Sequence, residues 1–249
     1  MKFNPLGHKI NDLIVFNPSK WPAREIIGRT TALLFIAVFL YFKIVKFKNY
    51  PGYFNGWNKF WMIHFLTWTI ETGILLGYLL SYLTREKAVS VARGIMETVF
   101  PVFIAGLPVL ISFASYNFDD HIPQNSSMHL PVYFTIASLM LFGNLINLMG
   151  LLSLRRAFTI MSEARALITT GLYKYIRHPL YLGHFILFFC STLFRFHWYT
   201  ILMYLIFFFG QWYRAKIEEQ KLETAFANYS KYKLKTGMFL PKIKFESTK

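Results

Sequence analysis

Long apolar runs alternate with short polar breaks along this chain. Runs at 28–45, 60–83, 94–116 and 130–154 are each near or above the ~17–25 residues that cross a bilayer as a helix. Two shorter runs, 182–196 and 198–213, are separated only by Arg195-Phe196-His197, which predicts a tight helical hairpin at the short limit for crossing. After Tyr213 the chain turns polar, and residues 214–249 hold nine Lys and Arg. The first 27 residues are mixed and lack the apolar core and small-residue cleavage site of a signal peptide. There is no internal repeat. The pattern predicts an all-α integral membrane protein of about six transmembrane helices, including a C-terminal helical hairpin, with a cytoplasmic amphipathic tail. It divides the chain into a cytoplasmic N-terminal segment (1–27), a four-helix transmembrane scaffold (28–154) and a C-terminal unit (155–249) that holds the specific chemistry.

Composition sharpens this picture. Of the 249 residues, 55% are hydrophobic and only 16% charged, against about 25% charged in a soluble domain. The formal net charge is +15. In so apolar a chain that excess belongs to cytoplasmic loops and anionic headgroups rather than to a nucleic-acid face. The basic loops set the orientation. Arg85, Lys87 and Arg93 lie in 84–93; Arg155, Arg156, Arg165, Lys174 and Arg177 lie in 155–178; Asp119 and Asp120 lie in 117–129, which has no Lys or Arg. The positive-inside rule puts 84–93, 155–178 and the tail in the cytoplasm, with both termini inside. Loop 46–59, with Lys46, Lys48 and Lys59, runs against that rule. The pattern fits a bacterial inner membrane and an endoplasmic reticulum equally.

Polar residues inside the runs are candidates for structure or function. Helical spacing puts His64, Trp68 and Glu71 on one face, as a cavity wall or a buried hydrogen bond that orients helices. Gly73 and Gly77 form a GxxxG pair suited to helix packing, and Gly143, Asn147 and Gly150 share a face suited to interhelical contact. Glu97, one turn into the third run, suits a helix N-terminus or a snorkelling role. A single cysteine, Cys190, excludes an internal disulfide and Cys-cluster metal sites. The seven His lack HxxxH or HExxH spacing, so no metal site is expected.

The densest signal is Gly171-Leu172-Tyr173-Lys174-Tyr175-Ile176-Arg177-His178-Pro179-Leu180-Tyr181-Leu182-Gly183. Gly171 permits a turn, and Pro179 forces His178 out of helical geometry and starts the next helix. Arg177, His178 and Tyr181 therefore gather where a loop enters the membrane, as an anion or nucleoside site at a helix start or as a basic and aromatic anchor. Beyond the hairpin, Arg214 and Glu218 share a helical face at i, i+4, followed by Glu219 and Leu222. An aromatic, basic tail follows: Phe226, Tyr229, Tyr232, Lys233, Lys235, Phe239 and Pro241. No two glycines are separated by a single residue, so there is no GxGxxG fingerprint.

Taken together, residues 155–241 resemble the membrane-embedded methyltransferases related to isoprenylcysteine carboxyl methyltransferase and the phospholipid N-methyltransferases. Gly171, Tyr173, Arg177, His178, Pro179, Tyr181 and Gly183 match one motif of that superfamily; Arg214, Glu218, Glu219 and Leu222 match the other. The resemblance implies that 155–249 is a catalytic core with S-adenosylmethionine at the cytoplasmic boundary, capped by the tail. By position, Leu167, Ile168, Tyr173, Arg177, His178, Pro179, Tyr181 and Glu218 would bind the cofactor. Arg214, Glu218 and Glu219 would be catalytic: Glu218 at the cofactor, Arg214 orienting the acceptor, and Glu219 or His178 taking a proton from a thiol or amine. The acceptor would be lipophilic or small, carrying a carboxylate, thiol or amine. Departures bear on the acceptor more than on the cofactor. Phe158 stands where the isoprenylcysteine branch has a Gln, Arg165-Ala166 replace its His-Thr, Phe226-Ala227 replaces Phe-Gly, and Tyr229 comes one residue early. The competing readings are an NADPH-dependent sterol-reductase-like enzyme and a non-enzymatic transporter or scaffold. Stabilisation by S-adenosylhomocysteine against NADPH separates them.

Overall fold

The computed structural model describes residues 23–48, 59–112 and 129–242. Among these there are seven α-helices and no strand: α1 (Ala23–Lys48), α2 (Lys59–Thr84), α3 (Gly94–Ser112), α4 (His129–Leu154), α5 (Pro179–Phe194), α6 (Trp198–Ala225) and α7 (Tyr229–Lys235). Short 3-10 turns occupy Arg155–Ala157 and Gly171–Lys174. Most of the N-terminal segment, most of loop 46–59, the Asp119-Asp120 loop, the side chain of His64 and the chain past 242 lie outside the described residues.

The helices follow the apolar runs because, in lipid, a helix satisfies its own backbone. Two are long and apolar enough to cross a membrane, over Gly28–Val45 and Pro131–Ala157, and Gly94–Pro108 and Pro179–Phe194 are shorter apolar stretches. Leu34, Tyr41, Leu80, Ile95, Phe103, Leu152 and Phe209 are all more than half exposed. A surface studded this densely with large apolar side chains is suited to lipid rather than water.

α5 is the central helix. Tyr181, Phe185 and Phe188, at i, i+4 and i+7, pack on Ile104 and Leu107 of α3 and Phe207 of α6. Its other side meets α4: Cys190 and Phe194 pack on Tyr133, Ile136 and Ala137. The α4–α5 approach is close because glycines line it. A Cβ at Gly183 would lie 2.5 Å from Asn147 Oδ1 and 2.8 Å from the Gly143 carbonyl oxygen, and one at Gly150 3.2 Å from Leu180. The GxxxG expectation on α2 divides. A Cβ on Gly77 would lie 2.8 Å from Leu151, whereas Gly73 has nothing within 4 Å and packs no helix among the described residues. Between α5 and α6 the chain turns at Arg195–His197, where Thr200 Oγ1 donates to the Arg195 carbonyl (2.8 Å) and accepts from the His197 N–H (3.2 Å).

The basic loops gather at one end of the bundle. Val89 and Ser90 N–H groups donate to the Ala164 carbonyl (2.8 and 3.0 Å), pairing loop 84–93 with the segment after α4. Buried Arg85 and Arg165 flank Glu163 at 3.6 and 2.6 Å. Burial, with the Arg165 charge beside it, pulls Arg85 down to about 10. Glu97 does more than sit at a helix start: it accepts from the Arg93 N–H (2.6 Å) and pairs with Lys221, tying α3 to α6.

Candidate active site

Each motif is placed by local chain chemistry. Gly171 has φ +59° where a Cβ would overlap Ser153, so only glycine fits that turn. Pro179 is the first residue of α5, and His178 just before it has φ −127°, ψ 60°. That aims the imidazole back across the end of α6. The α6 helix continues without a break past Tyr213, so Arg214, Glu218 and Glu219 arrive on a rigid extension of a hairpin helix.

The motifs meet. His178 Nδ1 lies 4.0 Å from Glu218 Oε2, and His178 Nε2 lies 3.3 Å from Glu219 Oε1. Arg177 Nε donates to Glu219 Oε1 at 2.7 Å. Burial alone would raise the Glu219 pKa, but the hydrogen bonds from His178 and Arg177 outweigh it and hold the carboxyl at about 2. Arg214 Nε donates to Glu218 Oε1 (3.1 Å) and Nη2 to the Ile160 carbonyl (2.5 Å), and its guanidinium lies 5.1 Å from the centre of the Tyr181 ring. Burial opposes the Arg214 charge, but Tyr181 and Glu218 beside it outweigh burial and keep it protonated. The Tyr181 hydroxyl donates to Glu218. The His178 and Tyr181 rings stack, 5.2 Å apart at 8°.

The tail closes one side. Arg177 and His178 N–H groups donate to the carbonyls of Gly237 (2.9 Å) and Met238 (3.0 Å). The Arg177 guanidinium also donates to the carbonyls of Thr236 and Lys233. The Tyr232 hydroxyl donates to the Tyr173 carbonyl at 2.7 Å. Burial pushes Tyr232 up to about 12, and burial with Glu218 nearby pushes Tyr173 well up too, so both stay neutral at physiological pH. Phe239 covers the His178 ring at 5.9 Å.

A cavity of about 400 Å³ opens from this cluster and runs into the bundle. Tyr173, Arg177, His178, Tyr181, Arg214 and Glu218 line its mouth; Tyr78, Asn144, Asn147, His184 and Gln211 line its middle; Lys43, Glu71 and Arg195 lie at its far end. Of the residues singled out by sequence, Leu167, Ile168, Pro179 and Glu219 are not on its wall. Leu167 and Ile168 are partly buried beside it, Pro179 is packed in α5, and Glu219 faces Arg177. Glu71 pairs with Lys43 (2.5 Å) and forms part of the wall.

Several wall residues were not flagged by sequence. Gln211 sits one turn before Arg214 and accepts from it at 3.4 Å. Tyr78 stacks on Phe158 (4.5 Å, 10°) and bonds His184 at 3.1 Å. Phe158 therefore supplies a ring face where the isoprenylcysteine branch has an amide, and Arg165 spends its charge on Glu163 and the Glu86 carbonyl. Among the described residues no three of His, Cys, Asp or Glu cluster as metal ligands.

A comparison with curated proteins finds no match. Residues 135–224 match the Isoprenylcysteine carboxyl methyltransferase (ICMT) family, a stretch that takes in most of α4, the Gly171–Gly183 motif, the hairpin and the Arg214–Leu222 motif. Over that segment, about a third of the chain, the sequence is similar to this family, and the match supports an S-adenosylmethionine-dependent methyltransferase.

Proposed function

We propose that the chain methylates a lipophilic or small, membrane-partitioned acceptor at the mouth of this cavity, on the cytoplasmic side of a multi-pass membrane protein. The observation that carries the reading is the juxtaposition of His178 and Glu218 at 4.0 Å on one cavity wall, from motifs forty residues apart. The donor set suits S-adenosylmethionine: a carboxylate and stacked ring faces beside a hollow attract a sulfonium and accommodate a flat base. Tyr173, Arg177, His178, Tyr181 and Glu218 would hold it, with Leu167, Ile168 and Pro179 backing that wall. When bound, the cofactor supplies an electrophilic methyl group.

The acceptor's lone pair forms the new bond to the methyl carbon as the carbon–sulfur bond breaks, and the sulfonium charge is lost. Little covalent work falls to the protein, so positioning dominates and can supply several kcal/mol, up to ~7–11 in ideal cases. Arg214, fixed by Glu218 and the Ile160 carbonyl, orients an acceptor carboxylate or stabilises the reacting anion. His178 can take the proton of a thiol or amine. Glu219, held ionised by Arg177 and His178, orients His178 rather than serving as a base. The tail residues 236–239 exclude water from one side.

Loop 84–93 pairs with the segment after α4, which supports a shared cytoplasmic face for these basic loops; six crossings, cytoplasmic termini and a division into 1–27, a 28–154 scaffold and a 155–249 catalytic core are proposed with it. Arg214→Ala should lower turnover about 10²–10³-fold while leaving S-adenosylhomocysteine affinity nearly unchanged. Unchanged turnover with radiolabelled cofactor across thiol, carboxylate and amine acceptors rejects the assignment.

A further inference from the structure

The middle of the cavity carries chemistry that methyl transfer at its mouth does not use. Asn144 is completely buried on α4, lines the cavity, and has neither Nδ2 nor Oδ1 hydrogen-bonded. Asn147, one turn on and 1% exposed, lines the same wall with its Oδ1 unpartnered. His184 on α5 and Tyr78 on α2, bonded to each other at 3.1 Å, add to this polar belt.

An amide that serves as interhelical glue bonds across the contact it holds. Asn144 does not, and the α4–α5 contact is instead made by the glycines at 143, 150 and 183. In a membrane interior no solvent compensates an unmade bond, so Asn144, completely buried with a free donor and a free acceptor, gains partners when a guest in the cavity displaces the wall over it. The chemistry of that guest follows from the pair. Nδ2 can donate to a carbonyl, and Oδ1 can accept from an N–H; a secondary amide presents both complements at once. An ester or ether meets only half the demand, and a plain hydrocarbon meets none.

The depth of the belt is set by the helix. A Cβ at Gly143 would touch Ile186 and the Gly183 carbonyl, which places the Asn144 level two to five residues of α5 beyond Tyr181, about 3–8 Å at 1.5 Å per residue. We propose that the cavity selects acceptors whose apolar chain carries an amide about that far from the reacting atom, read by Asn144 with Asn147 beside it. This rests on the methyltransferase reading of the mouth, and it names a substrate class that reading leaves open.

The test uses full-length protein in detergent. Three sets of linear chains end in a thiol, a carboxylate or an amine; within each set a short alkyl spacer is joined to the same tail by an amide, an ester or methylenes. Binding is read as thermal stabilisation in the presence of S-adenosylhomocysteine. In at least one set the amide chain should bind about tenfold or more tightly than its all-methylene twin, with the ester between them. Asn144→Leu should bring that ratio near one and leave the S-adenosylhomocysteine shift intact. It should also raise the melting temperature of the empty protein by about 2–4 °C, because it removes an unpaired amide. Asn144→Ser, a smaller change should the Leu variant fail to fold, should likewise reduce the ratio. Equal binding of the amide and all-methylene chains in every set overturns the inference alone. So does a lower melting temperature for folded Asn144→Leu, since the amide would then be bonded in the empty protein to a helix or an ordered water. Absence of any S-adenosylhomocysteine shift in the unmodified protein overturns the methyltransferase reading of the cavity, and the inference with it.

Discussion

At the mouth of the cavity, Glu219 takes bonds from Arg177 and His178, and Arg214 is held by Glu218 and the Ile160 carbonyl. About one helical turn deeper, Asn144 is buried with neither amide atom bonded. One helix, α5, runs past both regions, with His178 and Tyr181 at the first and its glycine contact with α4 at the second. The difference lies in what each must be ready for. A mouth that handles charge has to be set before reaction, because reorganising charged groups during it is costly. A site that reads an uncharged group can keep its donor and acceptor open, because neutral amides cost far less to bury than ions. Polar residues inside one membrane protein thus serve two ends, rigidity where pairs are complete and selectivity where they are not.

The comparison can be broken at the mouth first. Arg177→Ala removes the partner of a carboxylate whose side chain is 3% exposed, together with the donors that hold the Thr236 and Lys233 carbonyls. Stripping one partner from a buried pair costs ~3–5 kcal/mol. Thermal unfolding should show that loss; less than ~1 kcal/mol would mean that the mouth is not held by this clasp.

Acid should undo the same clasp. The Glu219 pKa is about 2 in the folded chain against an ordinary 4.5. A depressed carboxylate contributes fully above its unfolded value and loses that contribution as pH falls toward the folded one. The window therefore runs from about pH 4.5 down to about 2, and the contribution at stake is roughly 3 kcal/mol. Melting curves across that window should fall less steeply for Glu219→Gln than for the unmodified protein. Parallel curves would place the acid sensitivity elsewhere.

The smallest effect tests the packing behind the deep region. Gly183→Ala would put a methyl 2.5 Å from Asn147 Oδ1 and 2.8 Å from the Gly143 carbonyl oxygen. Overpacking of this kind costs ~1–3 kcal/mol, again read by thermal unfolding. A neutral outcome would mean that α4 and α5 can part enough to rearrange the amide wall.

Helix positions were legible because a backbone in lipid must close its own hydrogen bonds, so each apolar run announces a helix. The hairpin turn at Arg195–His197 was legible from its polar break, and the meeting of the Tyr173–Tyr181 and Arg214–Glu218 stretches from motif order. Helix rotation was not. When every face is apolar, no stripe tells which side looks inward, so Tyr78, Gln211 and Asn144 gave no sign that they would line one hollow. Gly73 and Gly77 carry the same GxxxG signal, yet among the described residues only Gly77 meets a neighbour. Glu218 and Glu219 are adjacent in sequence, but about 100° apart on a helix. One reaches the cavity and the other the clasp, a distinction that needs the position of Arg177.

One helix has a consequence that reaches beyond the protein. α6 is 28 residues long without interruption, a rod of about 42 Å, some 12 Å more than the hydrocarbon thickness of a typical bilayer. Trp198 at one end and Glu218 toward the other ride on it as a single piece. Whatever anchors the tryptophan in its leaflet therefore fixes how far the carboxylate stands clear of the opposite headgroups. Acyl-chain length in the host membrane becomes a dial on how readily water-borne and lipid-borne molecules reach the same point.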